Sequence, residues 1–101
     1  MKSIGLSNRD IFNARNGAKI QGSEGVTGKL VGLAINEEGV KKTSILKIDD
    51  TIYSGTSSTV YEDAKILIEN FEDEIKAGTL DVVLTSKTSK AGRTFYNIEL
   101  R

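Results

Sequence analysis

The stretch STVYEDAKILIENF, residues 58–71, decides the fold, because it places a helix in the middle of a chain that otherwise has the pattern of β-strands. Its apolar residues recur at helical spacings, and Ile75 continues the same stripe. These residues are Val60, Ala64, Leu67, Ile68 and Phe71. Thr59 and Glu62 have the spacing of a capping box, and Ala77-Gly78 ends the pattern. The sequence therefore predicts a single helix across this region.

Three strands are predicted before this helix, and the first of them is long and bent. It covers residues 26–35, and its glycines Gly28 and Gly32 are four residues apart, on the same side of the strand. Glycines in that arrangement are typical of a sharp bend or a close backbone approach at the corner of a small barrel. The segments that follow are a turn at 36–39, a strand at 42–48, a turn at Asp49-Asp50 and a strand at 51–54.

The first residues of the chain predict a short opening helix. Ser7 and Asp10 are spaced as a capping box and are flanked by the two positions of a hydrophobic staple. The staple residues are Leu6 and Ile11. We therefore expect a helix at residues 8–15, which Asn16-Gly17 ends with the glycine in the left-handed conformation.

Two further strands, at residues 80–85 and 94–100, complete the pattern. The order after the opening helix is β-β-β-α-β-β, which is that of an OB-fold, a five-stranded Greek-key barrel. We therefore expect a mostly β (α+β) protein, a small five-stranded OB-like barrel with a short N-terminal helix. A single domain would span residues 1–101, with a lead-in at 1–25 and the barrel at 26–101. An open α+β sheet with the same elements is the alternative.

The composition argues against catalytic and metal chemistry. The 101 residues include no cysteine and no histidine, which excludes disulfides, thiolate or imidazole zinc sites and histidine-dependent triads. Residues 22–29, GSEGVTGK, have the wrong glycine spacing for a phosphate loop and precede a strand. Asp49-Asp50 offers too few ligands for a calcium loop. We expect no enzyme activity, no metal and no cofactor.

Charge and hydropathy predict a soluble protein of the cytoplasm, with no membrane contact. The N-terminus lacks the apolar core of a signal peptide, and no run approaches the ~20 apolar residues of a membrane span. Formal net charge is zero, from 14 basic and 14 acidic residues, which argues against a general polyanion binder. The charges are unevenly spread, however. Residues 62–74 carry six acids and one base, whereas residues 87–101 carry four bases and one acid.

The basic end of the chain is the main candidate binding surface. Side chains alternate across a strand, so if Tyr96 faces the core, Phe95 faces outward. The expected inward set is Tyr96, Ile98 and Leu100, and the expected outward set is Phe95, Asn97 and Glu99. The cations beside Phe95 are Lys87, Lys90 and Arg93. An exposed aromatic flanked by cations suits a single strand, whose bases stack on rings while Lys and Arg contact phosphates. The alternative is that Phe95 packs beneath the opening helix and the lysines only solvate the loop.

The hairpin of residues 42–54 is a second candidate surface, and its geometry depends on the turn. With a three-residue loop, Lys47 sits opposite Tyr53 on one face, where Lys29 of the first strand would join them. With a two-residue loop, Tyr53 faces Leu46 and the core. The sequence leaves both arrangements open.

Residues 26–101 resemble the small OB-fold single-stranded DNA-binding proteins that phages and mobile elements of Gram-positive bacteria carry. The resemblance rests on the element order and on three stretches: VTGKLVGLAI, STVYEDAKILIENF and SKAGRTFYNIEL. It implies sequence-tolerant binding to single-stranded DNA, or to RNA, during replication or recombination. It also implies a homo-oligomer in the bacterial cytoplasm, working beside replication or recombination proteins.

The same resemblance assigns contact residues. Tyr53 and Phe95 would stack on nucleobases, and five lysine and arginine residues would contact phosphates. These basic residues are Lys29, Lys47, Lys87, Lys90 and Arg93. The rival hypothesis is a small protein-interaction module, such as a phage-encoded inhibitor or assembly factor, whose acidic helix binds a host protein.

Overall fold

The computed structural model describes residues 1–101, with 45% of them in strands and 28% in helices, so the fold is mostly β. The strands are β1 (Lys2–Ile4), β2 (Ala18–Lys19), β3 (Thr27–Glu38), β4 (Lys41–Ile48), β5 (Thr51–Gly55), β6 (Asp81–Thr88) and β7 (Thr94–Leu100). The helices are α1 (Asn8–Asn13), α2 (Ser58–Asn70) and α3 (Glu72–Ala77), and a 3-10 turn at Ala14–Asn16 follows α1. The strands form one curled mixed sheet in the order β2-β5-β4-β3-β6-β7, with β1 added to β3. This sheet is a half-barrel, compatible with an OB-like barrel.

Strand β3 is the centre of the sheet and changes partners along its length. Its first three residues pair with β6, and residues 33–35 pair with β1, while β4 runs along the other side. The β3–β4 register shifts between Leu30 and Gly32, which is the irregularity of a β-bulge. A Cβ atom on Gly32 would lie 2.5 Å from Cδ2 of Leu6. Of the two alternatives predicted for this strand, the close approach is confirmed at Gly32.

Both faces of the sheet are covered across β3, β4 and β5. The inner face packs against α2 and α3 in a core of 16 buried residues. The predicted helical stripe enters this core through Val60, Ala64, Leu67, Ile68 and Ile75, with Phe71 partly buried beside them. The outer face packs against α1 and the 3-10 turn in a smaller cluster. That cluster consists of Ala14, Ala34 and Ile45, with Leu6, Ile11 and Ile52 against it.

The opening helix has the predicted cap but not the predicted end. Ser7 Oγ accepts the Asp10 N–H at 3.1 Å, and Asp10 Oδ2 accepts the Ser7 N–H at 3.1 Å, so the capping box is confirmed. Gly17, however, is extended at φ −80° and ψ −179°, so the expected left-handed conformation is wrong. Glycine is needed there for another reason, because a Cβ would lie 2.7 Å from the carbonyl oxygen of Ile52.

The central helix differs from its prediction at the start and in the middle. Ser57 Oγ accepts the Val60 N–H at 3.3 Å, so Ser57 caps α2 and the capping box expected at Thr59 is wrong. The chain leaves helical geometry at Phe71 and resumes as α3. The Asn70 side chain donates to the Ile66 carbonyl at 2.9 Å at the end of α2. Gly78 ends α3 in the left-handed conformation, as predicted.

Strands β5 and β7 share no ladder, and we call the gap between them the seam. The lead-in segment spans one side of the seam. On the β5 side, the Ile20 N–H donates to the Ser54 carbonyl at 2.9 Å. On the β7 side, the Gly22 N–H donates to the Tyr96 hydroxyl at 3.3 Å. Residues of the lead-in therefore hold the two edges of the half-barrel together.

Helix α2 covers the edge of β7 with polar side chains. The Thr59 hydroxyl donates to the Tyr96 carbonyl at 2.6 Å, and the Asp63 carboxylate accepts the Ile98 N–H at 3.0 Å. Asp63 also accepts the side-chain amide of Asn97 at 3.0 Å. These contacts satisfy edge groups that a neighbouring strand would otherwise pair.

The remaining boundaries follow from pairing between strands. β3 extends to Glu38, three residues past the prediction, because Glu37 and Glu38 lie opposite Lys42 and Lys41 of β4. β7 has its predicted bounds of residues 94–100. No helix has the length and apolar character that a membrane crossing requires.

Candidate nucleic-acid interface

The hairpin of β6 and β7 brings four of the predicted contact residues to one end of the molecule. We call them the basic hairpin tip: Lys87, Lys90, Arg93 and Phe95. Lys87 and Phe95 are cross-strand partners, and the other two lie in the loop that follows Thr88. Lys90, Arg93 and Phe95 lie where the sequence predicts them, whereas Lys87, expected in the loop, lies in β6, which extends three residues past its predicted end.

The loop of the basic hairpin tip is closed by its own hydrogen bonds. The Ser89 N–H donates to the Arg93 carbonyl at 2.8 Å, and the Gly92 N–H donates back to the Ser89 carbonyl at 3.0 Å. Ser89 Oγ accepts the Arg93 N–H at 3.2 Å. Gly92 has φ 80°, a left-handed conformation that glycine adopts without steric cost. The loop is therefore ordered without contacts to the core.

Phe95 points outward, with 39% of its surface exposed, and belongs to neither apolar cluster. It does not pack beneath α1, whose cluster lies against β3, β4 and β5. On the other side of β7, Ile98 is buried and Tyr96 packs against the main core, as predicted. Leu100 was expected to face the core as well, but it is 48% exposed because it is the last residue of the strand.

The basic hairpin tip keeps most of its positive charge available. Lys90 and Arg93 are exposed and make no ion pair with any carboxylate. Lys87 Nζ lies 3.5 Å from Glu99 Oε1, and both side chains are largely exposed. A solvated pair of this kind contributes about 0–1 kcal/mol, so a phosphate can compete for the lysine.

The other two predicted lysines are held by carboxylates elsewhere in the fold. Lys29 Nζ is 2.9 Å from Asp81 Oδ1, its cross-strand neighbour on β6. Lys47 Nζ is 3.4 Å from Asp10 Oδ2, beneath the opening helix. A hydrogen bond from the Ser7 backbone N–H lowers the pKa of Asp10, and Lys47 lowers it further. Neither lysine joins the basic hairpin tip.

The turn between β4 and β5 is the two-residue form, which decides the position of Tyr53. Ile48 pairs with Thr51 across Asp49-Asp50, and Tyr53 therefore lies opposite Leu46. Asp49 adopts φ 53°, a left-handed value that aspartate tolerates in turns. Tyr53 packs against the main core. The arrangement of Lys29, Lys47 and Tyr53 on one face does not occur.

A second exposed ring with a cation lies on the opening helix, and the sequence reasoning missed it. Phe12 is 62% exposed, and the guanidinium carbon of Arg15 lies 4.3 Å from the centroid of its ring. Arg9, Arg15 and Lys19 are exposed and form no ion pairs. The hydrophobic staple of Leu6 and Ile11 was the sequence signal that could have revealed it. Because Leu6 and Ile11 pack towards the sheet, Phe12, the one aromatic residue of α1, is left outside.

The acidic side of α2 and α3 forms a separate surface. Glu69, Glu72, Asp73 and Glu74 are all exposed, as predicted. Ile66 is an exposed apolar residue on the same pair of helices. No group of three carboxylates in the chain could hold a metal ion.

The largest groove, about 400 Å³, lies between the N-terminus, β3 and α2 and shares no residue with the predicted contact set. The Tyr61 hydroxyl at its wall donates to Glu37 Oε2 at 3.2 Å. Burial raises the pKa of this phenol, and the Glu37 carboxylate raises it further. The hydroxyl is therefore a donor held in place by Glu37 and is not poised as a base.

No protein-family model matches this chain, and no curated protein and no solved structure matches it. Function is therefore inferred from the surface chemistry of the chain itself.

Proposed function

We propose that this chain is a non-enzymatic, sequence-tolerant single-stranded DNA-binding protein built on an OB-like barrel. The contact surface is the basic hairpin tip. One observation carries the proposal: Phe95 is exposed and in register with Lys87, beside two cations that no carboxylate neutralises. The loop between the last two strands is also one of the loops with which OB-folds bind oligonucleotides.

The chemistry of the tip suits a single strand of any sequence. A base stacks on the ring of Phe95, an interaction of about 1–3 kcal/mol that every base can make. Lys87, Lys90 and Arg93 contact the phosphates on either side. A duplex hides its base faces, so the ring discriminates in favour of unpaired strands.

In its biological setting, the protein covers exposed DNA during replication or recombination of a phage or mobile element in a bacterial cytoplasm. It works as a homo-oligomer, so that several tips bind one strand. Replication and recombination proteins are its neighbours on the DNA. A preference for RNA over DNA is tested by comparing oligo-dT with oligo-U.

The test is fluorescence anisotropy with a labelled oligo-dT, at low and at high salt. We expect binding at micromolar protein that weakens with salt, with a log–log slope of about −0.7 for each phosphate contacted. Phe95→Ala should lower the affinity about 5-fold or more. Ile66→Ala, which truncates an exposed apolar residue on the acidic side, is the matched control and should bind as the parent does. No binding of the parent chain at low salt would contradict the proposal.

A second set of variants tests the contribution of positive charge to oligo-dT binding. Changing both Lys90 and Arg93 to Gln should reduce the salt slope by about 1.4, because two phosphate contacts are lost. Lys41→Gln removes an equally exposed cation without an ion pair, at the far end of β4, and should leave the slope unchanged.

A second candidate function is supported by the acidic side of α2 and α3. Four exposed carboxylates and the exposed Ile66 lie on these two helices, a combination that would fit a basic host protein with a shallow apolar pocket. Capture of a partner from nuclease-treated lysate that is lost in Ile66→Ala and retained in Phe95→Ala would favour this protein-interaction module. The opposite pattern would favour DNA binding.

A further inference from the structure

We infer that a bound single strand continues from the basic hairpin tip across the lead-in to the opening helix. There Phe12 is a second stacking ring, and Arg15 and Lys19 contact phosphates. We call these three residues the opening patch. This inference rests on the proposed function and specifies the path of the strand.

The exposed ring of Phe12 belongs to neither apolar cluster. Ile11 of the opening helix is partly buried against the outer cluster, and Ala14 of the 3-10 turn is buried in it, whereas Phe12 is 62% exposed. Arg15 lies over this ring at 4.3 Å and makes no ion pair. A guanidinium over an aromatic ring gives a flat, charged platform on which a base can stack while the donors reach a phosphate.

The charge of the N-terminal segment complements a polyanion. Its first 21 residues contain four bases and a single acid. The bases are Lys2, Arg9, Arg15 and Lys19. The acid, Asp10, is already occupied, because it accepts the Ser7 N–H and lies 3.4 Å from Lys47 Nζ. The bases of this segment therefore have no carboxylate of their own and attract phosphate.

β2, which carries Lys19, and β7, which carries Phe95, lie on the two sides of the seam. Lys19 belongs to β2, which pairs with β5. Three residues later, the Gly22 N–H donates to the hydroxyl of Tyr96, the neighbour of Phe95. A strand that leaves Phe95 along the lead-in thus passes the segment that carries Lys19 before it reaches Arg15 and Phe12. OB-folds bind about 4–16 nucleotides each, which leaves room for both rings on one strand.

Photocrosslinking with the full chain tests the path directly. The probe is oligo-dT of about 16 nucleotides that carries 5-bromodeoxyuridine, a length within the OB-fold range. Trypsin cleaves after arginine, so Phe12 falls in the peptide DIFNAR, residues 10–15, and Phe95 in TFYNIELR, residues 94–101. We expect both peptides to carry crosslinks. Crosslinks in residues 94–101 alone would overturn the inference and leave the proposed function standing.

Affinity at two oligonucleotide lengths tests the energetics. Phe12→Ala should weaken binding to oligo-dT of about 16 nucleotides roughly 5-fold or more and should barely affect one of about 4 nucleotides. Changing Arg15 and Lys19 to Gln should lower the salt slope for the longer probe by about 1.4. Ile66→Ala is again the control. Unfolding by urea should show the same midpoint for Phe12→Ala as for the parent, since the side chain is exposed.

The outcomes separate the two proposals. If Phe95→Ala weakens binding and Phe12→Ala does not at either length, the inference is wrong and the proposed function survives. If the parent chain binds no oligo-dT, both are wrong. If Phe12→Ala instead abolishes capture of a protein from nuclease-treated lysate without changing oligo-dT affinity, the opening patch is a protein contact and the inference is overturned.

Discussion

The two hairpins on either side of β3 differ in their turns and in how their faces are covered. The β4–β5 hairpin has a two-residue turn and is packed on both faces, by the main core on one side and by the opening helix on the other. The β6–β7 hairpin is packed on one face only, and its loop closes on its own hydrogen bonds.

The same residue types consequently have different roles in the two hairpins. In the covered hairpin, Lys47 is bound by Asp10 and Tyr53 packs against the core. In the uncovered one, Lys87 and Phe95 are exposed cross-strand partners. A lysine and an aromatic on neighbouring strands are therefore candidates for binding only where no helix lies on that face of the sheet.

The largest expected effect is a difference in the free energy of unfolding between variants of the two hairpins. Leu46 of β4 is fully buried, and Leu46→Ala should lower the free energy of unfolding by about 2–5 kcal/mol through lost burial and a residual cavity. Phe95→Ala should cost less than about 1 kcal/mol, because the ring is in neither cluster. Urea unfolding of both variants measures the difference. Equal losses would mean that the uncovered hairpin is also structural.

The next effect concerns the way the uncovered hairpin is attached. Asp63→Ala removes the acceptor of the Ile98 N–H and of the Asn97 amide, and should cost about 1.5–3 kcal/mol because those bonds are charge-assisted. The Ile98 amide should also exchange its hydrogen faster, as native-state exchange would show. Glu69→Ala, an exposed acid of the same helix without an ion pair, is the control and should change neither quantity.

A smaller effect tests how the covered hairpin is held by the opening helix. The folded state lowers the pKa of Asp10, so its ionised form stabilises the fold at pH values above the unfolded pKa of about 3.9. That contribution is lost as pH falls through the folded pKa. Asp10→Asn should therefore be less stable than the parent at neutral pH, and the gap should narrow below pH of about 4. A gap that stays constant with pH would exclude a role for the charge.

The smallest effect concerns the single acid near the basic hairpin tip. Glu99→Gln should release Lys87 from its solvated ion pair and raise the affinity for oligo-dT about 1.4- to 5-fold, the range of a surface pair. Glu24→Gln, another exposed acid without an ion pair, is the control for net charge. An equal gain in both variants would show that only overall charge matters.

The fold was predictable where the determining contacts are local. The bounds of β7 and the stripe from Val60 to Ile75 follow from periodicity along the chain, and both are confirmed. The capping box at Thr59 failed because its hydroxyl binds the Tyr96 carbonyl, 37 residues away, while Ser57 caps the helix instead. Contacts of that range leave no mark in a local pattern.

The candidate site also combines positions that follow from a local pattern with positions that depend on long-range contacts. The outward position of Phe95 follows from the alternation of β7. The loss of Lys47 to Asp10 depends on the opening helix folding over the sheet, which spacing does not encode. The position of Tyr53 depends on whether the turn between β4 and β5 has two or three residues, which the sequence leaves open. Phe12 was missed although the staple of Leu6 and Ile11 already indicated which side of α1 packs against the sheet.

The self-contained loop at Ser89–Arg93 has a consequence for how this protein could diversify. Its hydrogen bonds join loop residues to each other, and none of them reaches the core. Residues inserted between Lys90 and Gly92 would break the turn bond from Gly92 to Ser89 but would leave the β6–β7 ladder and the core in place, so the hairpin could lengthen with little effect on folding. Changes of length at this single position would alter the surface that the hairpin presents while the scaffold stays unchanged.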